Sequence, residues 1–223
     1  MRFEMIMVGE FYPSTKFKVY EQNIEKNDNV YKRIINNSFV ENDNIKLEDL
    51  VYLKFLYYNY KGKSTVGEII VNKKIKDKFI NIMKEAFDNK IEFNSFKLVD
   101  DYFETEEDDR NEIDNRSIAD NNSYAFFYRK IYGTDKLSNH SFGCAVDINP
   151  KENPYLPYRN GEYDYSNLSS EDIKYLTNRE NIDNPHVITH KSLIYKLFKK
   201  NDFIWGGDWE HTKDYQHFEA NNE

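Results

Sequence analysis

Two hydrophobic periods take turns along the chain. From Ile75, the residues Ile75, Phe79, Ile82, Met83, Ala86 and Phe87 fall on one face of a 3.6-residue period with Lys and Asp opposite, which predicts an amphipathic helix. Asn72 stands where it could cap that helix. Ser192 to Lys200 repeats the pattern with Leu193, Ile194, Leu197 and Phe198, and Ser169 or Ser170 followed by Asp172 and Ile173 marks another helix start. Period two appears where Val146 and Ile148 alternate with Asp147 and Asn149, and again from Tyr215 to Glu219. Gly67 to Val71 and Phe93 to Val99 also read as strands. Val51 to Tyr60 is so densely apolar and aromatic that it fits a strand or a buried helix, and periodicity does not choose.

Between these elements lie polar segments. Residues 1–45 are weakly patterned and read as a divergent lead-in or peripheral subdomain, with the main domain at 46–223. Glu104 to Asp114 is strongly acidic and reads as a solvated loop; a calcium site is the sharper alternative, although the spacing does not match an EF-hand. Asn153 to Asn167 carries two prolines and is expected to be an irregular surface loop. Strands and helices mix without regular βαβ alternation, so the fold class is α+β rather than doubly wound.

A length of 223 residues suits one domain with a substantial core. The net charge of −8 argues against a nucleic-acid partner, and no apolar run is long enough for a membrane span. The opening MRFEMIMVGE is interrupted by Glu4 and Glu10 and makes a poor signal peptide. With Cys144 as the single cysteine there is no internal disulfide framework. Cys144 alternates away from Asp147 and is expected to be a packing thiol, since no base is spaced to activate it. Composition leaves the compartment open, and a monomer is expected.

The chemistry concentrates in two segments. One is Ser138-Asn-His-Ser-Phe-Gly-Cys-Ala-Val-Asp-Ile-Asn149, and the other runs from Phe203 through Trp205-Gly-Gly-Asp-Trp209 to Asp214-Tyr-Gln-His217-Phe-Glu219. An aspartate between two β-branched residues of a strand is costly to bury without a partner. A metal ion would be such a partner, and Gly143 offers the unusual dihedral that lets His140 turn back toward Asp147. His217 can face the same cleft while Phe218 enters the core. Two imidazoles and one carboxylate suit Zn²⁺ with a fourth position left to water. Trp205, Trp209 and Tyr215 are candidates to line the groove, with core packing the better reading for Trp205. His186, His190 and His211 are not expected to be ligands.

The first segment resembles the S-x-H-x-x-G-x-A-x-D signature of the zinc D-alanyl-D-alanine carboxypeptidases and L-alanyl-D-glutamate endopeptidases, including VanY-type and phage-endolysin members. The second resembles their terminal W-G-G-D-W…D-x-x-H-F block. Asn121 to Arg129 and Asp147 to Tyr155 also match, so the resemblance spans Val51 to Glu219 and leaves residues 1–45 outside. Ile118 stands where the family has methionine. The resemblance implies His140, Asp147 and His217 as zinc ligands, Asp214 as the catalytic carboxylate and Arg129 as the arginine that contacts substrate. It implies a small hedgehog-like peptidase fold, an α+β domain whose central antiparallel sheet, flanked by helices, carries the zinc site in an open groove.

Strict alternation would put Asp214 and His217 on opposite faces, so a turn or bulge must intervene, and Glu219 is the reserve base. The implied activity is hydrolysis of an amide bond in peptidoglycan stem peptides, as a D-alanyl-D-alanine carboxypeptidase, at an extracellular or cell-wall location. The alternatives are an L-alanyl-D-glutamate endopeptidase, a zinc-stabilised binding domain without turnover, such as hedgehog signalling domains suggest, and an intracellular dipeptidase.

Overall fold

In the computed structural model, residues 2–105, 108–166 and 168–220 are described. In chain order the elements are β1 (Val19–Asn23), α1 (Asn29–Ile34), β2 (Leu50–Asn59), β3 (Ser64–Asn72), α2 (Lys76–Asp88), β4 (Glu92–Phe93), β5 (Ser95–Phe96), α3 (Arg110–Ala119) and β6 (Asn122–Ser123). The second half holds β7 (Ala145–Asp147), β8 (Tyr155–Leu156), β9 (Tyr158–Arg159), β10 (Glu162–Tyr163), α4 (Ser170–Leu176), α5 (Leu193–Lys200), β11 (Ile204–Trp205), β12 (Lys213–Asp214) and β13 (His217–Glu219). This is the α+β class, built on antiparallel sheets with helices packed against them. No helix among the described residues is long and apolar enough to cross a membrane.

The ambiguous stretch Val51 to Tyr60 is the central strand. β2 lies between β1 and β3, antiparallel to both. Its odd residues Val51, Leu53, Phe55 and Tyr57 join Phe79, Ile82, Met83 and Ala86 of α2 in the main core. Its even residues Leu50 and Tyr52 pack with Ile24, Val30, Ile34 and Phe39 from the N-terminal part of the chain. Both faces are therefore covered, which erases the apolar–polar alternation that a half-exposed strand would show. Arg33 of α1 forms a bidentate pair with the buried Glu68 of β3, at 2.7 and 2.9 Å, and Tyr52 donates to the same carboxylate.

A second sheet, in the order β11-β13-β7, extends the core through Trp205, Phe218 and Val146. Phe198 of α5 stacks on Phe218 with ring centroids 4.0 Å apart.

Several local expectations change. Asn72 does not cap α2: it ends β3, its side-chain Oδ1 accepts from the Lys74 N–H, and its side-chain Nδ2 donates to the Phe142 carbonyl. Phe93 to Val99 divides into β4, β5 and a 3₁₀ turn (Val99–Tyr102), because Asn94 turns aside to donate to Asp120 and Asn121. Asn153 to Asn167 contains β8 and the β9–β10 hairpin, and Asn153 is fully buried with its amide on the carbonyls of Ile148, Asn149 and His186. Asn167, and in the acidic stretch Glu106 and Glu107, lie outside the described residues. The rest of that stretch is engaged: Asp109 caps α3 and Asp108 accepts from Thr105 and Arg116.

Candidate metal centre

Three local structures bring His140, Asp147 and His217 together. Asp147 ends β7, His217 begins β13, and the two residues are direct antiparallel partners. One step along, Val146 opposes Phe218, and both are fully buried. Period two thus sends two apolar side chains into the core and sets a carboxylate beside an imidazole on the other face. On the far side of β7, Tyr124 and Asp147 exchange both backbone hydrogen bonds, at 2.9 and 3.2 Å.

His140 belongs to a 3₁₀ turn (Asn139–Phe142) in which its own N–H donates to the capping Ser138 hydroxyl. The turn closes at Gly143 with φ +64°, where a Cβ would sit 2.8 Å from the backbone nitrogen of Asn72. The left-handed backbone favours glycine and the close approach to backbone requires it. Gly143→Ala is expected to destabilise the fold by about 1–3 kcal/mol. A urea midpoint equal to that of the unsubstituted protein would contradict this account of the turn.

The ring nitrogens define the geometry of the cluster. His140 Nδ1 lies 2.6 Å from the Ala125 carbonyl oxygen, to which it donates, so Nε2 keeps its lone pair. His217 Nε2 faces Glu219 Oε2 at 3.3 Å, which leaves Nδ1 as the inward nitrogen. These two inward nitrogens are 3.2 Å apart, and the Asp147 oxygens lie 3.0 Å from His217 Nδ1 and 3.2 Å from His140 Nε2. His140, Asp147 and His217 are all buried, at 1, 4 and 6% exposure.

Three electron-pair donors packed this closely out of water need a cation among them. In the metal-free chain a proton serves: burial alone would depress His217, yet its hydrogen bonds to Asp147 and Glu219 raise it to about 10. Asp147 is held far below the usual carboxylate range, because His140 and His217 outweigh its burial. A divalent ion such as zinc fits the same place, since all three donors lie within 4.8 Å of one another and each imidazole is oriented from behind by an oxygen acceptor. Among the described residues this is the one group of three or more His, Cys, Asp or Glu with such geometry.

Asp214 approaches from another ladder. It pairs with Tyr155 across β12–β8, and the chain then leaves that ladder and enters the β11-β13-β7 sheet at His217. The bend at Tyr215 and Gln216 separates the two ladders, and the charges of Asp214 and His217 still interact across it. Gly206 makes room for it, because a Cβ there would come within 2.4 Å of the Asp214 carbonyl oxygen. Asp214 Oδ1 is buried without a hydrogen-bond partner. Burial, opposed by His217 and reinforced by the charge of Asp147, raises this carboxyl to about 7.

Arg129 is fixed through its backbone to the His140 turn: its N–H donates to the Ser141 hydroxyl, which donates back to the Arg129 carbonyl. Its guanidinium pairs with Asp114 at 2.8 Å and donates to the Tyr124 hydroxyl at 3.2 Å, and its Nε is buried without a partner. The charge of Asp147 also reaches Arg129 and helps to raise its pKa against the effect of burial.

Glu219, the reserve base, is spent behind His217 and on the Asn139 amide. Trp209 is half-buried with its ring 5.5 Å from that of His217, whereas Trp205 is fully buried and donates to the Tyr215 carbonyl. Tyr215 lies under the Arg179 guanidinium. His186 pairs with Glu92, His190 with Glu180 and Asp208, and His211 stacks on Tyr158. Cys144 is buried, which pushes its thiol up to about 11. Two residues beside the site escaped sequence reasoning, Asp114 and Tyr124. Asp114 was hidden in a run of acids, and the stacking of Tyr124 on His140, with ring centroids 5.0 Å apart, leaves no mark in the sequence.

Residues 132–220 match a family model described as D-alanyl-D-alanine carboxypeptidase. No curated protein and no solved structure matches the chain. The matched segment contains His140, Asp147, Asp214 and His217, while Arg129, Tyr124 and Asp114 precede it.

Proposed function

We propose that this chain, which carries the D-alanyl-D-alanine carboxypeptidase family match over residues 132–220, is a zinc metallopeptidase that removes the terminal D-alanine from peptidoglycan stem peptides. The observation that carries the reading is the meeting of His140 Nε2, Asp147 and His217 Nδ1 in one buried cluster, with Asp214, whose Oδ1 is buried without a partner, interacting with it electrostatically. Such a substrate places the protein outside the cell membrane, at the wall.

A zinc ion held by those three residues would supply a Lewis acid to the scissile carbonyl and to an attacking water. One carboxylate against a divalent ion would leave the centre net positive. Asp214 takes the proton of the attacking water at Oδ1 and later returns it to the leaving amine, a base-then-acid role suited to a carboxyl drawn toward neutrality. Arg129 donates to the oxygen on which negative charge develops, and its pairing with Asp114 keeps the guanidinium from swinging away. Glu219 and the Ala125 carbonyl hold the two imidazoles in the tautomers that turn lone pairs inward.

The test is to incubate zinc-loaded protein with a defined muropeptide ending in D-alanyl-D-alanine and weigh the products. Release of one free alanine is expected. Cleavage between L-alanine and D-glutamate would move the protein to the endopeptidase class. No cleavage of any stem peptide by a sample shown to contain metal would overturn the peptidase reading.

A further inference from the structure

Arg129 is held in a particular way. All of its close side-chain partners meet one amino group: Nη2 lies 2.8 Å from Asp114 Oδ2 and 3.2 Å from the Tyr124 hydroxyl. Tyr124 in turn donates to Asp114 Oδ1 at 2.6 Å, closing a three-membered ring of contacts. Asp114 reaches this point from α3, whose Ile113 is buried against Tyr124 and Phe127. Tyr124 is anchored twice more, by its backbone pairing with Asp147 and by its ring stacked on His140. At the other end of the guanidinium, Nη1 has only a long 3.5 Å contact with the Lys130 carbonyl, and Nε has no partner although it is buried.

A buried N–H without an acceptor is unfavourable, and a ligand oxygen that reaches it removes the penalty. We infer that Asp114 and Tyr124 form a clamp that grips Arg129 by Nη2 and turns Nε–H, with Nη1, toward an oxygen of the bound peptide. Both are positioning residues, acting on substrate only through Arg129. The inference rests on the peptidase reading for its substrate, but the clamp itself is a property of the folded chain. Tyr124 also links the clamp to the metal centre, since one residue pairs with Asp147, stacks on His140 and accepts from Arg129.

Tyr124→Phe keeps the ring on His140 and removes the hydroxyl alone. In the zinc-loaded enzyme it is expected to lower kcat about tenfold with little change in KM and full metal content, while Asp114→Ala lowers kcat about 10- to 100-fold. In an Arg129→Ala background neither substitution should cause further loss, because both act through the missing guanidinium. Full additivity, or unchanged kinetics in Tyr124→Phe, would overturn the clamp.

A second readout does not depend on turnover. The Arg129 Nε–H should give a sharp side-chain resonance in ¹⁵N-labelled protein that broadens or vanishes in Asp114→Ala. The same sharp signal in that variant would also refute the clamp. If the unsubstituted enzyme cleaves no stem peptide, the peptidase reading fails, and the clamp is decided by this resonance.

Discussion

Asp214→Asn is expected to lower kcat by about 10²–10⁴-fold while the protein keeps a full complement of metal. Asparagine has nearly the same shape and cannot accept the proton that the reaction must move. It lies outside the His140, Asp147 and His217 set, so metal content separates loss of the base from loss of the centre. The pH profile carries an independent sign. A general base works when ionised, so kcat/KM of the unsubstituted enzyme should fall as pH drops below the Asp214 pKa. That pKa is about 7 in the metal-free chain and is drawn lower by a bound cation. The residual activity of Asp214→Asn should lack this acid limb.

Stability should move the other way. The folded pKa of Asp214 lies above its unfolded value, so its contribution is favourable below about pH 4 and is lost as pH rises through about 7. At pH 8 the metal-free Asp214→Asn protein should therefore unfold at a higher temperature than the unsubstituted one, as expected when a group is kept for chemistry at the expense of the fold. A variant that turns over normally, or one that loses its metal together with its activity, would remove Asp214 from the role of base.

How much of this could be read from residues alone differs from element to element. Helix α2 was legible because five of the six apolar residues singled out lie buried on one face of it, and only its cap was misplaced. The strand β2 was not, because the N-terminal part of the chain and α2 cover it from both sides and leave no polar face to count. The juxtaposition of Asp147 and His217 was legible because the alternation of Val146 with Asp147, and of His217 with Phe218, survives unchanged in the β7–β13 pairing. The interruption expected between Asp214 and His217 from the same alternation is present as a change of ladder.

What failed were contacts between residues with no shared period. Asp114 lies in a run of acids in which Asp108 and Asp109 make only local contacts, and nothing nearby in sequence singles out the one that reaches Arg129. Glu219 looked like a spare base because its distance along the strand from His217 is right, but two residues along a strand return to the same face, where it supports the imidazole instead. Asn153 was assigned to a surface loop on the strength of its prolines, whereas its amide satisfies three carbonyls in the interior.

Asp147→Asn is expected to weaken zinc binding by more than about 100-fold and to abolish turnover, since even a residue behind a metal ligand typically contributes 10- to 100-fold. The same carboxylate governs the metal-free protein. His217 has a raised folded pKa, so its stabilising contribution is complete below about 6.5 and is lost as pH rises through about 10. Asp147 has a lowered folded pKa, so its contribution is present above about 3.8 and is lost as pH falls below that value. Between about pH 4 and 6.5 both count in full, and an imidazolium–carboxylate pair stands where the metal would be. Removing one member of a buried pair typically destabilises by about 3–5 kcal/mol, which sets the expected loss for metal-free Asp147→Asn at pH 6.

Zinc and the His217 proton then compete for one place. Binding at pH 7.5 should release about one proton per metal, seen in calorimetry as a heat that changes with the ionisation enthalpy of the buffer. Affinity should fall as pH is lowered from 8 to 6, because more of the imidazole must be deprotonated for each ion bound. A binding heat independent of buffer, or an Asp147→Asn protein that takes up zinc as the unsubstituted chain does, would show that His140, Asp147 and His217 are held together by protons alone.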